Sequence, residues 1–180
     1  MLLQLSGVPG TGKSTLARSL ARDLDLVVLD TDVVKSALMA TDVSFAAAGP
    51  ATYAAVLAIA TDLLAQGRSV AVDSPCRYAE LLAAGQRVAA DAEVPYRLLE
   101  LWADDPAELL PRLTGRAARP SQVTPAVSLW ELGTPAETLR GWQDQLVRPE
   151  TGWLRVDALA DPGTVLGEVR EWLVGPGRGE

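Results

Sequence analysis

Residues 7–14 read Gly-Val-Pro-Gly-Thr-Gly-Lys-Ser, a complete match to the pattern G-x-x-x-x-G-K-[ST]. Glycines at these positions let the backbone turn tightly and aim its N–H groups inward at phosphate oxygens. The lysine reaches the β- and γ-phosphates, and the closing hydroxyl can ligate Mg²⁺. A helix that starts at the loop's end adds its positive N-terminal end to the same anion. Gly7, Val8, Pro9, Gly10, Thr11, Gly12, Lys13, Ser14 and Thr15 are therefore the predicted nucleotide contacts, with Lys13 also catalytic and Ser14 also a metal ligand. The loop predicts nucleotide binding and leaves the reaction open.

The chain contains no histidine, which excludes Ser-His-Asp, Cys-His and His-metal chemistry and leaves a carboxylate as the general base at neutral pH. Three aspartates stand where one is needed. Asp30 and Asp32 follow the apolar run Leu26–Leu29, and Asp73 follows Val70-Ala71-Val72. In an open parallel sheet, ligands bind outside the C-terminal ends of the strands. Two acids there could hold a Mg²⁺-bound water and accept a proton from a substrate hydroxyl. Asp73 would orient the Mg²⁺ shell, so Asp30 and Asp73 join Ser14 as metal candidates. Each also has a purely structural reading: a cap for the helix starting near Val33, or a turn residue before Ser74-Pro75.

Arg112, Arg116 and Arg119 recur at spacings of four and three, which on a helix puts them along one side. Phosphoryl transfer needs positive charge on the moving group, and arginines on a lid supply it only on closure; a solvated basic face is the alternative. Lys35 reads as a solvent-facing helical residue and Cys76 as inert. The tryptophans at 102, 142, 153 and 172 read as core, with Trp130 placed to stack on a substrate ring.

These groups need a scaffold. The 180 residues suit one domain, 48% of them apolar and 22% charged. No run approaches the roughly 18 uncharged apolar residues of a membrane span, no signal peptide is evident, and the single cysteine makes no disulfide; these features predict a cytoplasmic protein. A net charge of −7 argues against tracking nucleic acid. Strands are expected at 2–6, 26–29, 69–72, 96–102 and 153–157. Helices are expected at 14–24, 32–40, 51–66, 77–92, from Asp105 (with Pro111 kinking or shortening it), 136–147 and from Asp161. Alternating strands and helices, each strand nearly continuously apolar, imply an α/β domain over 1–174, its five-stranded parallel sheet covered by helices on both faces. A short lid spans about 112–135, and 175–180 form a frayed tail.

With these features assembled, the chain resembles the small P-loop kinases of the nucleoside-monophosphate-kinase-like group, near chloramphenicol phosphotransferase, shikimate kinase and gluconate kinase. The resemblance implies a P-loop NTPase fold with ATP and Mg²⁺ as cofactors. Shikimate kinases end their second strand in Asp-x-Asp, as Asp30-Thr31-Asp32 does; by that likeness Asp30 orients the magnesium shell and Asp32 faces the acceptor hydroxyl. They also carry two lid arginines seven apart, the second before proline. Arg112 and Arg119-Pro120 repeat this, which implies adenine stacking for Arg112 and phosphate contact for Arg119. The loop Asp157–Pro162 would wrap the adenine. Asp73-Ser74-Pro75-Cys76-Arg77 departs from the family by standing where shikimate kinases have a glycine triplet that binds substrate. The expected activity is transfer of the ATP γ-phosphate to a hydroxyl of a small molecule, an antibiotic or secondary metabolite among the candidates, with Lys13, Asp32, Arg116 and Arg119 catalytic. A regulatory ATPase without an acceptor and a polynucleotide 5′-kinase are the alternatives; oligomeric state is left open.

Overall fold

A computed structural model describes residues 1–115, 119–122 and 133–175. The expected lid is therefore covered only in part. Arg116 and Trp130 lie outside the described residues, as do residues 176–180 of the expected tail.

Five strands, β1 (Leu2–Ser6), β2 (Leu26–Asp30), β3 (Ser69–Asp73), β4 (Tyr96–Trp102) and β5 (Trp153–Asp157), form one all-parallel sheet in the order β2-β3-β1-β4-β5. β1 is the middle strand, and all five of its residues are buried, which is why it reads as an apolar run interrupted early only by Gln4, with no apolar–polar alternation. Among the described residues there are seven α-helices: α1 (Lys13–Leu24), α2 (Thr31–Met39), α3 (Phe45–Ala65), α4 (Ala79–Asp91), α5 (Leu110–Thr114), α6 (Pro135–Asp144) and α7 (Pro162–Val174).

Strand residues alternate between the two faces of the sheet. Leu3, Leu5, Ala71, Leu99 and Leu101 pack with Leu16, Ala17 and Leu20 of α1 and Val165 and Val169 of α7. Leu2, Val70 and Val72 pack on the opposite face with Val56, Ala60 and Leu64 of α3 and Ala89 of α4. Each fully buried leucine contributes about 1.5–3 kcal/mol. Gln4, the polar interruption in β1, is satisfied internally: its amide donates to Cys76 Sγ at 3.2 Å and its carbonyl accepts from Tyr96 Oη at 2.8 Å.

Three expectations change. α3 begins at Phe45 rather than 51, because Ser44 caps it through a bond from Ala47 N. Pro50 stays inside the helix instead of starting it, at the loss of one internal hydrogen bond. The resulting 21-residue helix is long and apolar enough to cross a membrane by length and composition, contrary to the sequence expectation; here its Val56–Ala60–Leu64 stripe lies on the sheet. Pro106–Leu109 forms a 3₁₀ turn capped by Asp105 that runs directly into α5 at Leu110 beside Pro111, so the helix from Asp105 is a short one, part 3₁₀ and part α. α5 then ends at Thr114, and Arg112 and Arg119 do not share a helical face.

The strand ends are level with one another. Asp30 is the register partner of Asp73, and Trp102 that of Asp157. One edge of the sheet thus presents the second, third, fourth and fifth strand ends alongside the glycine loop that follows β1.

Candidate active site

The loop after β1 delivers straight into α1, whose N-cap is Gly12 in a left-handed conformation. Lys13 Nζ donates to Gly7 O at 2.7 Å and Val8 O at 3.1 Å, and Thr11 Oγ1 donates to Val8 O at 2.8 Å. The lysine therefore lies across its own loop, where a phosphate would sit. Gly7–Ser14 wrap one end of a cavity of about 970 Å³ that runs along the strand ends; all the expected loop contacts except Gly7 line it, Thr15 included.

Asp73 is 4% exposed and lines the same cavity. Burial pushes its carboxyl above the ordinary value, and the Lys13 ammonium and a hydrogen bond from the Ser14 hydroxyl pull it part of the way back. Its Oδ2 is buried without a hydrogen-bond partner. A buried acceptor oxygen with no partner, beside the loop hydroxyl, fits a Mg²⁺ shell. No cluster of three or more His, Cys, Asp or Glu that could hold a metal occurs among the described residues. Such an ion would depend on nucleotide phosphates for much of its coordination, the usual arrangement for Mg²⁺.

Asp30 is placed differently from expectation. Its Oδ1 accepts from the backbone N–H groups of Asp32 and Val33, capping α2. Its Oδ2 accepts from Arg18 at 2.9 Å and Arg119 at 2.8 Å. Both oxygens are engaged within the fold, which leaves Ser14 and Asp73 as the pair whose placement fits a metal ion. Arg119, expected on phosphate, is engaged here with Asp30.

Asp32, one residue into α2, is half-buried and faces the cavity. Ser121 Oγ donates to its Oδ1 at 3.2 Å and Gln122 Nε2 to its Oδ2 at 2.8 Å, while Ser36 Oγ donates to Ser121 Oγ at 2.8 Å. Sequence reasoning passed over Ser121 and Gln122, whose only signal was their closeness to Arg119. Lys35 corrects the solvent-facing expectation: it is half-buried, lines the cavity and sits 3.4 Å over the Phe45 ring.

At the far end, Arg112 donates to Ala158 O at 2.7 Å, tying α5 to the β5–α7 loop. Arg112, Asp157, Ala158, Pro162 and Gly163 all line the cavity there, so the residues expected around a base do meet. Cys76 is fully buried, and burial pushes its thiol up to about 12, which makes it inert. The four described tryptophans are each faced by arginine rather than sealed in the core: Trp142 by Arg77 at 5.0 Å, Trp172 by Arg97 at 5.9 Å, and Trp102 and Trp153 by Arg148 and Arg155.

Over residues 2–145 the chain matches the AAA_33 model, an AAA domain. It belongs to that family. The fold of this AAA_33 domain recurs in solved structures that cover nearly its whole length. A sugar kinase from Janibacter sp. HTCC2649 superposes with a TM-score of 0.68 at 16% identity, over 96% of this chain and 93% of that one. The APS kinase of Mycobacterium tuberculosis, solved with AMPPNP and APS, gives 0.66 at 21% identity over 96% of each chain. A gluconokinase from Sinorhizobium meliloti 1021 gives 0.60 at 17% identity, over 95% and 94%. At these identities the likeness carries the fold alone. No match was found among curated protein sequences.

Proposed function

We propose that this AAA_33 domain is an ATP-dependent phosphotransferase that moves the γ-phosphate of ATP to a hydroxyl of a small molecule. One observation carries the reading: a single cavity is lined by the glycine loop, by the base-side residues Arg112 and Ala158, and by Asp32 with no nucleotide-loop role of its own. A nucleotide laid from Arg112 to Lys13 leaves room beyond its last phosphate on the Asp32 side. Mg²⁺, when bound, would draw charge from the β- and γ-phosphates. Ser14 and Asp73 would hold it, and Lys13 would bear on the same oxygens. The acceptor oxygen bonds to the γ-phosphorus, the bond to the β–γ bridging oxygen breaks, ADP leaves, and the acceptor's proton passes to Asp32. Little covalent chemistry is asked of the protein; positioning and electrostatics do the work. Arg119 would bear on the phosphates once released from Asp30, and Arg116 belongs to the same proposal. A cytoplasmic setting supplies the ATP, and a net charge of −7 favours a small acceptor over a nucleic-acid strand.

The test is ATP consumption across a panel of hydroxylated metabolites and antibiotics. One or more acceptors should stimulate it, and phosphorylated acceptor should accumulate in proportion to ADP. Lys13→Ala should reduce that stimulated rate by about two to three decades. ATP turnover indifferent to every acceptor, with stimulation by a protein partner instead, would favour a regulatory ATPase.

A further inference from the structure

On the Asp32 side the cavity is walled by three elements: α2 with Asp32 and Lys35, α3 with Phe45 and Tyr53, and the β3–α4 loop with Ser74, Arg77 and Tyr78. Two polar groups of that loop are buried with no hydrogen-bond partner, Ser74 Oγ and Arg77 Nε. Both can donate. Arg77 lies against the Trp142 ring and makes no ion pair among the described residues; Lys35 makes a ring contact with Phe45 but likewise no ion pair. Burial is the main cause that lowers the Lys35 pKa; the Asp32 carboxylate raises it, and the Arg77 guanidinium, the smallest of the three influences, lowers it. Asp32 partly offsets the Lys35 charge. Its oxygens also accept from Ser121 and Gln122, which hold it in place.

Leaving a buried donor unpaired is expensive, and Arg77, half-buried with its Nε covered, has no ion pair among the described residues to offset that cost. A wall holding two such donors and a second cation, in a chain with seven more acidic than basic residues, is not there for net charge or for stability. Its complement is a group rich in acceptor oxygens and negatively charged. We propose that the acceptor carries an anionic group, a carboxylate or a phosphoester, bound by Arg77 and Ser74 with Lys35 beside it, while its reacting hydroxyl lies at Asp32. Arg77 matches either group through its planar fork of donors. The inference rests on the phosphotransfer reading for the hydroxyl's fate, but the anion site stands on the wall alone.

Three probes of one carbon skeleton separate the sources: D-gluconate, D-glucitol 6-phosphate and neutral D-glucitol, with chloramphenicol as a neutral hydroxylated antibiotic. Turnover with ATP is one readout. Binding is the second, measured by calorimetry and by tryptophan fluorescence, since Trp142 adjoins Arg77, on full-length protein saturated with a non-hydrolysable ATP analogue. That analogue fills the glycine loop, so added anion reports on the other end of the cavity. One of the two anions should bind at least about tenfold more tightly than glucitol and chloramphenicol, and Arg77→Gln should erase that preference while Arg77→Lys keeps part of it. Ser74→Ala should weaken the same anion in the same direction.

Preference for a neutral probe overturns the proposal. So does binding of neither anion, or a charge preference unchanged in Arg77→Gln. Anion binding lost in Arg77→Gln without turnover of any acceptor upholds the site and counts against the phosphotransferase reading alone.

Discussion

Asp73 is buried, and burial is the main reason its carboxyl titrates above the ordinary 3.8. An acid with a raised folded-state pKa keeps its proton over a range where the unfolded chain has already lost it. Stability therefore falls as pH rises through that window, and the deficit is constant above it. In metal-free protein, Asp73→Asn should raise Tm at about pH 7.5, with the gain shrinking as pH is lowered toward 4, while the Mg²⁺ concentration needed for turnover rises. Scanning calorimetry in chelator reads the first effect; equal Tm values at neutral pH would contradict it. Asp30 and Asp32 make the opposite pair. Asp32→Asn should lower kcat about 10²–10⁴-fold with little change in ATP affinity, as loss of a proton acceptor does. Asp30→Asn keeps a competent N-cap but loses the charge facing Arg18 and Arg119. Asp30→Ala loses both, and should cost about 1 kcal/mol more in denaturant titrations. The sequence shows that an acid stands at each of these strand ends. It does not show which acid is spent, because Arg18 and Arg119 reach Asp30 only after the chain has folded.

The glycine loop is an element whose two central glycines carry different burdens. Gly10 and Gly12 both sit at φ +90, where L side chains are strained. A Cβ at Gly12 would meet nothing within 4 Å, whereas one at Gly10 would come 3.1 Å from Leu109 Cβ and 3.3 Å from Leu113 Cγ. Gly12→Ala should cost about 1 kcal/mol of backbone strain, and Gly10→Ala more, because the 3₁₀ turn and α5 must give way as well. Comparing the two by thermal unfolding isolates the packing share; equal losses would mean that Leu109 and Leu113 yield freely. Arg112 joins the same α5 to the β5–α7 loop through Ala158 O. Arg112→Ala should therefore weaken ATP binding itself, seen as a higher Kd in equilibrium titration rather than a lower kcat. At this scale the sequence was most informative where a signal is local. The edges of β4 and β5 and the Asp161 cap follow from consecutive residues, and so does the eight-residue loop. α3 begins earlier than expected, since the Ser44 cap and a stripe that packs on the sheet hold it together with Pro50 inside.

Across the whole molecule, the acceptor wall was the least legible part. Arg77 meets Trp142 of α6, and Asp32 meets Ser121 and Gln122, only because the fold brings distant segments over the strand ends. No spacing rule in one sequence connects such residues. The sheet order has a further consequence, for the timing of synthesis. β1 is made before the other four strands, yet it lies in the middle of the sheet, with β3 on one side and β4 on the other. The glycine loop leans on residues made later still, since Gly10 packs against Leu109 and Leu113. A ribosome that has released only the chain through β3 holds the full phosphate-binding motif with half of its support missing. Nucleotide can therefore act as a folding ligand only late in translation. Until β4 and α5 emerge, the eight residues most recognisable on paper are an unformed strand end that binds nothing.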